Sequence, residues 1–211
     1  MKTISFVSQK GGVGKSTLAL ATAYEASKSG VSVKVADMDT QQGTLSDLHR
    51  QRLNNGISSI GSVEIFATIN DLQKSVTNSN YDFLIIDGTP RASKGTLAAG
   101  KISDLIVLPC CSSRADLIPT IKLGNELVKN QIPRGKIVFA LSRVNTASEI
   151  EDAREFITEA GFKVLDGCIF EKPGYRQAQN DGYALTETKW KSLNDKANIV
   201  LESILTNLLS E

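Results

Sequence analysis

The sequence predicts an α/β fold with a mainly parallel sheet, and three observations carry that prediction. Short β-branched or apolar runs recur along the chain, longer helical patterns separate most of them, and a glycine-rich turn joins the first run to the first helix. The runs are Thr3 to Val7, Val31 to Ala36, Val63 to Phe66, Phe83 to Ile86, Leu105 to Leu108, Ile137 to Leu141 and Lys163 to Ile169. Most neighbours leave enough chain between them for the crossover helix that parallel pairing needs. The best marked helix starts at the glycine-rich turn, carries Leu18, Leu20, Ala23 and Tyr24, and stops at Gly30. Asn54 to Ser62 is the loosest stretch, but it has the length of a loop and not of a domain boundary. The expectation is one domain spanning 1–211, with no N-terminal helix-turn-helix domain.

Composition narrows the class. Of 211 residues, 41% are hydrophobic and 22% charged, which excludes a disordered or fibrous chain. The formal net charge of +1 supplies no global attraction to DNA or anionic lipid, so any such binding needs a local patch. There is no run of eighteen apolar residues, and MKTISFVSQK lacks the apolar stretch of a signal peptide. Three cysteines, Cys110, Cys111 and Cys168, offer neither an even disulfide framework nor a CxxC pair. A soluble cytoplasmic protein with reduced, buried thiols is expected.

The chemistry concentrates in Gln9-Lys10-Gly11-Gly12-Val13-Gly14-Lys15-Ser16-Thr17, between the first strand and the first helix. Glycines let backbone N–H groups turn inward around an oxyanion, and the helix N-terminus adds its positive end. Lys15 reaches terminal phosphates and the Ser16 hydroxyl can ligate magnesium, so these are the parts of a nucleoside triphosphate site. The standard pattern wants glycine where Gln9 stands. What stands out instead is Lys10.

KGGVGKST resembles the deviant Walker A motif of the ParA/MinD ATPases, and the likeness extends over most of the chain. It implies a P-loop NTPase, with helices on both faces of a twisted parallel sheet, that takes ATP and Mg²⁺ at Gly11, Gly12, Val13, Gly14, Lys15, Ser16 and Thr17. In that family the lysine matching Lys10 crosses a dimer interface to the partner's nucleotide. A triphosphate carries about four negative charges, which Mg²⁺ and Lys15 offset only in part, so a second lysine has a physical purpose.

Asp37-Met38-Asp39-Thr40-Gln41 resembles the family's DxDPQ segment, with Thr40 where proline is usual. By that resemblance Asp39 orients or polarises the attacking water and Asp37 supports the magnesium shell. Tyr81-Asp82-Phe83-Leu84-Ile85-Ile86-Asp87-Gly88-Thr89-Pro90 resembles the Walker B strand, which makes Asp87 the magnesium-shell carboxylate and Gly88 a point of close approach to the γ-phosphate. Lys10, Lys15 and Asp39 are thus the candidate catalytic set, and Ser16, Asp37 and Asp87 the candidate metal set. No arginine finger can be assigned, so slow intrinsic hydrolysis is expected. The lone His49, in a polar stretch, reads as a surface helix residue.

Leu141-Ser142-Arg143-Val144-Asn145 resembles the segment beside the adenine, where Ser142 would bond the base edge and Arg143 stack on its face. An arginine in solvent at a strand end is the other reading. Ile169 to Tyr175 resembles the loop that closes over nucleotide in short partition ATPases. The C-terminal stretch Asn198 to Glu211 carries Ile199, Val200, Ile204, Leu205, Leu208 and Leu209 but no Lys or Arg, which reads as a helix packed on the body, against a MinD-like membrane role.

The likeness is greatest to short, ParF-like plasmid partition proteins. It implies an ATP-bound homodimer that binds nonspecific DNA on the nucleoid and answers to a separate ParB-like or ParG-like centromere-binding adaptor. Residues 163–196 hold six basic side chains, Lys163, Lys172, Arg176, Lys189, Lys191 and Lys196, against five acidic ones. They read either as a phosphate-contacting stripe or as a solvated face. Two alternatives stand beside DNA segregation: a related ATPase that positions a protein cargo on the nucleoid, and a metabolic enzyme that phosphorylates a small acid. Against the second, no obvious second substrate pocket is legible.

Overall fold

In the computed structural model, which describes residues 1–77, 79–90 and 94–210, strand β1 (Lys2–Ser8) runs through the middle of the sheet and delivers the glycine-rich loop to its edge. The elements that follow are α1 (Lys15–Lys28), β2 (Val33–Asp37), α2 (Thr44–Asn54), β3 (Ser62–Ile65), α3 (Ile69–Val76), β4 (Phe83–Pro90) and α4 (Lys94–Ile102). Then come β5 (Leu105–Cys110), α5 (Arg114–Lys129), β6 (Ile137–Val144), α6 (Ser148–Glu159), β7 (Lys163–Val164), β8 (Ile169–Phe170), α7 (Pro173–Asn180) and α8 (Lys191–Leu209). The strand order is β3-β2-β4-β1-β5-β6-β7, with β8 also on β6, and every pairing among the described residues is parallel.

The central strands are buried along almost their whole length, β5 at all six positions. Their continuous apolar runs follow from cover on both faces. Helices α1, α2, α7 and α8 pack one face around Phe6, Val35, Ile85 and Val107, while α3 to α6 cover the other around Leu84, Ile106, Leu108 and Phe139. Chain connections reach β2 and β4 on one side of β1 and β5 and β6 on the other, so the sheet has its topological switch beside β1, where a ligand crevice forms.

Two expectations need correction. The run Lys163 to Ile169 is not one strand but two short ones, because Gly167 at φ +70° turns the chain between them and each half pairs β6 at a different height. The apolar stripe of α8 is also narrower than expected. Val200, Ile204 and Leu208 are buried with Leu201, but Ile199 and Leu209 are 48% and 63% exposed because they fall off the buried face. The helix end at Gly30 stands, with that glycine at φ +82° and the backbone of Val31 bonded back to Ala26. Cys110 and Cys168 are buried as expected and Cys111 is half-buried. Among the described residues no helix is long and apolar enough to cross a membrane.

One buried charge ties α2 to the chain beyond α7. Arg52 is fully buried, donates to Glu187 at 2.5 and 3.0 Å and to the Gly182 carbonyl at 3.2 Å, and lies 4.8 Å from the centre of the Tyr24 ring. Removing one member of a buried pair strands the other. Arg52→Ala is therefore expected to cost about 3 to 5 kcal/mol of folding stability, measured by urea titration.

Candidate functional site

The phosphate loop owes its shape to two glycines. Gly12 and Gly14 stand at φ +76° and +90°, and Gly14 caps α1 in the left-handed region that side chains with a Cβ avoid. The N-terminal turn of α1 then faces a cavity of about 400 Å³ lined by Gly11, Gly12, Gly14, Lys15, Ser16 and Thr17. Asp39, Ser142 and Arg143 line the same cavity, so nine of the residues expected at the site meet in one place.

Asp87 does not itself line the cavity but stands behind two residues that do, almost wholly buried, with the Lys15 ammonium 3.4 Å away and the Ser16 hydroxyl bonded to it. Burial pushes its carboxyl up to about 6, against the opposing pull of Lys15. Asp37 is its register partner on β2 and is fully buried, accepting the backbone N–H groups of Asp39 and Ser46 at 3.0 Å each. Asp39 stitches its own turn, one carboxylate oxygen accepting from the N–H groups of Gln41 at 3.2 Å and Gln42 at 3.0 Å. The turn therefore closes without the usual proline at Thr40.

A magnesium ion fits this donor set. A buried carboxylate with a raised pKa and a single ammonium at long range is short of positive charge, and the Ser16 hydroxyl beside it is a hard oxygen donor. Among the described residues there is no cluster of three or more His, Cys, Asp or Glu that would cage a metal, which suits an ion held through one carboxylate and the phosphates of its ligand. Proton and cation compete for Asp87. Magnesium-dependent ATP affinity should therefore fall as pH drops through 6, by up to about tenfold per unit, in calorimetric titrations. The stability sign is the reverse of the usual carboxylate. Because its folded pKa is raised above the ordinary 3.8, Asp87 favours folding most fully below about pH 4 and loses that contribution as pH rises through 6.

Four expected residues lie elsewhere or are differently engaged. Lys10 does not line its own cavity: its ammonium bonds the Ala115 carbonyl at 2.7 Å and Asp116 at 2.6 Å, on the first turn of α5, and holds the Asp116 carboxyl below the usual range. Ser142 donates to the Val13 carbonyl and Arg143 to the Gly12 carbonyl at 2.6 Å, so both bond the phosphate loop. Gly88 is needed for packing, since a Cβ there would stand 2.9 Å from the Phe6 carbonyl of β1. His49 is on α2 as expected, half-buried and bonded to Ser59 at 3.1 Å.

The stretch Ile169 to Tyr175, expected to close over the nucleotide, does line the cavity through Ile169, Phe170, Glu171, Lys172 and Tyr175; what sequence reasoning missed is the helix that continues this wall. Tyr175, Arg176 and Gln179 of α7 line the cavity, and Gln179 donates to the Thr17 hydroxyl at 2.5 Å across 162 positions of chain. No local signal marks Gln179. Lys172 and Arg176, both in the basic set of residues 163–196, line this cavity, with Arg176 paired to Glu171. A second cavity of about 350 Å³ is lined by Met38, Thr68, Gly88, Lys94 and Ala99 among others.

The family model for the CobQ/CobB/MinD/ParA nucleotide binding domain matches residues 4–184. The chain belongs to this family. Among curated proteins no match is found. The chain is similar to solved structures of the Pyrococcus furiosus cell division ATPase MinD, at 20% identity and TM-score 0.77 over 97% of this chain and 98% of that one. It is likewise similar to the septum site-determining protein MinD of Pyrococcus horikoshii complexed with Mg-ADP, at 22% identity and TM-score 0.72 over 95% and 93% of the two chains. A candidate plasmid partition protein of Borrelia burgdorferi, bound to AMPPNP, matches at 20% identity and TM-score 0.72 over 97% and 98%. The CobQ/CobB/MinD/ParA chain thus shares the P-loop fold with all three across nearly its whole length, and two of the three hold a nucleotide.

Proposed function

We propose that the chain is an ATP-switched DNA-segregation ATPase: it binds ATP with Mg²⁺ at the phosphate loop, dimerises on ATP, holds nonspecific DNA, and hydrolyses slowly until a centromere-binding adaptor stimulates it. The carrying observation is Lys10. It stands one residue before the cradle glycines, turned out of its own cavity and 43% exposed at the side chain, and this supports a role on a neighbouring copy's phosphates. Its intrachain pair with Asp116 is worth at most about 1 kcal/mol, so it exchanges readily for a triphosphate.

Within the proposed site, Lys15 neutralises the terminal phosphates, and Ser16 and Asp87 hold the cation. Asp39, on the cavity wall, orients the attacking water by accepting its hydrogen bond. The bound magnesium supplies charge neutralisation of the phosphates.

A second reading, transfer of a phosphoryl group to a small acid, draws support from the neighbouring cavity with Lys94 at its lining. Steady-state hydrolysis with and without nonspecific duplex DNA separates the two. The segregation reading expects DNA, or DNA with an adaptor, to raise the rate at least tenfold; a rate indifferent to both and raised by a small carboxylic acid would replace it with the second.

A further inference from the structure

The phosphate loop is held from outside. Its Lys10 carbonyl accepts the Ser8 hydroxyl at 2.7 Å, its Gly12 carbonyl the Arg143 guanidinium at 2.6 Å, its Val13 carbonyl the Ser142 hydroxyl, and its Gly14 carbonyl the Leu18 N–H at 2.9 Å. In a trans peptide the carbonyl and the N–H of one plane point to opposite sides. Fixing the Gly12 and Val13 carbonyls therefore fixes the N–H groups of Val13 and Gly14, turned away from β6.

We propose that Ser142 and Arg143 are positioning residues of the phosphate cradle: consecutive donors at the end of β6 that lock two consecutive peptide planes with their N–H groups aimed at an anion. Glycines on either side of Val13 make these planes easy to flip, so an unbraced loop would have to be ordered by the ligand at a cost in affinity. The fit is close, since a Cβ on Gly14 would stand 3.2 Å from the Ser142 hydroxyl oxygen. Arg143 itself stands at φ +53°, a conformation that is unfavourable for a non-glycine residue and persists where surrounding contacts impose it. Here those contacts are the Gly12 carbonyl and Glu171, which accepts from the Arg143 Nε at 2.6 Å and fixes the guanidinium. Glu171 holds its other oxygen against Arg176 of α7, so the brace runs from the loop to the far wall of the cavity.

This inference rests on the triphosphate reading of the site and differs from base recognition in what it predicts. The test uses the full chain with Mg²⁺ and two probes, ATP and inorganic tripolyphosphate, titrated calorimetrically into the parent, Ser142→Ala, Arg143→Met and Arg143→Lys. Bracing predicts that Ser142→Ala and Arg143→Met weaken both probes by the same factor, about tenfold, and that Arg143→Lys recovers most of the loss. It also predicts lower backbone order parameters at Gly12, Val13 and Gly14 in the ligand-free variants, read by ¹⁵N relaxation, with the rest of the spectrum unchanged. Loss of ATP affinity with tripolyphosphate unaffected, or ligand-free loops as ordered as the parent's, overturns the bracing role. A parent that binds neither probe overturns the triphosphate reading itself. If the parent takes ATP but no tripolyphosphate, the relaxation result alone decides.

Discussion

Lys15→Met is expected to lower ATP hydrolysis by about a thousandfold while leaving the fold intact. The lysine side chain is only 10% exposed and is the cation beside the buried Asp87. Removing a preorganised donor from developing phosphate charge typically costs about 10² to 10³ in turnover, and here the substitution also leaves the buried carboxylate without its ammonium. Asp87 would then take up a proton more readily. Single-turnover hydrolysis followed by phosphate release, with circular dichroism as the check on folding, reads this directly. A variant that retained more than a tenth of the parent rate would place the terminal phosphates away from Lys15.

Lys10→Ala is expected to separate binding from assembly. Because Lys10 is bonded to α5 and lies outside its own cavity, its loss should leave ATP affinity of the single chain within about threefold. A lysine brought within about 4 Å of a partner's phosphate at an effective dielectric of 20 contributes about 4 kcal/mol, less about 1 for the Asp116 pair given up. The net, about 3 kcal/mol, predicts that ATP-dependent dimerisation weakens by more than a hundredfold. ADP, without the γ-phosphate, should support little dimer in either protein.

The sheet was legible because its strands are short, β-branched and separated by crossovers, and because Gly12 and Gly14 sit where only glycine is easy. The cradle, Lys15, Ser16, Asp39 and Asp87 follow from the same local signal, since one loop and three adjacent strand ends carry them all. What escaped sequence reading is long-range. Gln179 reaches Thr17 from a helix near the far end of the chain, and Arg52 reaches Glu187 across 135 positions. The partners of Ser142 and Arg143 were hidden for the same reason: β6 becomes a neighbour of the loop only once β5 lies between β1 and β6 in the sheet. The split of the last strand run was legible in Asp166-Gly167, a dipeptide that marks a turn, but the apolar residues on either side of it read as one continuous strand.

The most direct test of the proposed ATP sandwich is the mass of the chain in solution by light scattering, with Mg²⁺ and AMPPNP, with Mg²⁺ and ADP, and for Lys10→Ala with AMPPNP. The expected result is twice the 22.7 kDa chain mass for the parent in AMPPNP and a single chain in the other two. A parent that stays monomeric at AMPPNP concentrations shown calorimetrically to saturate its site, or a Lys10→Ala chain that dimerises as fully as the parent, would contradict it.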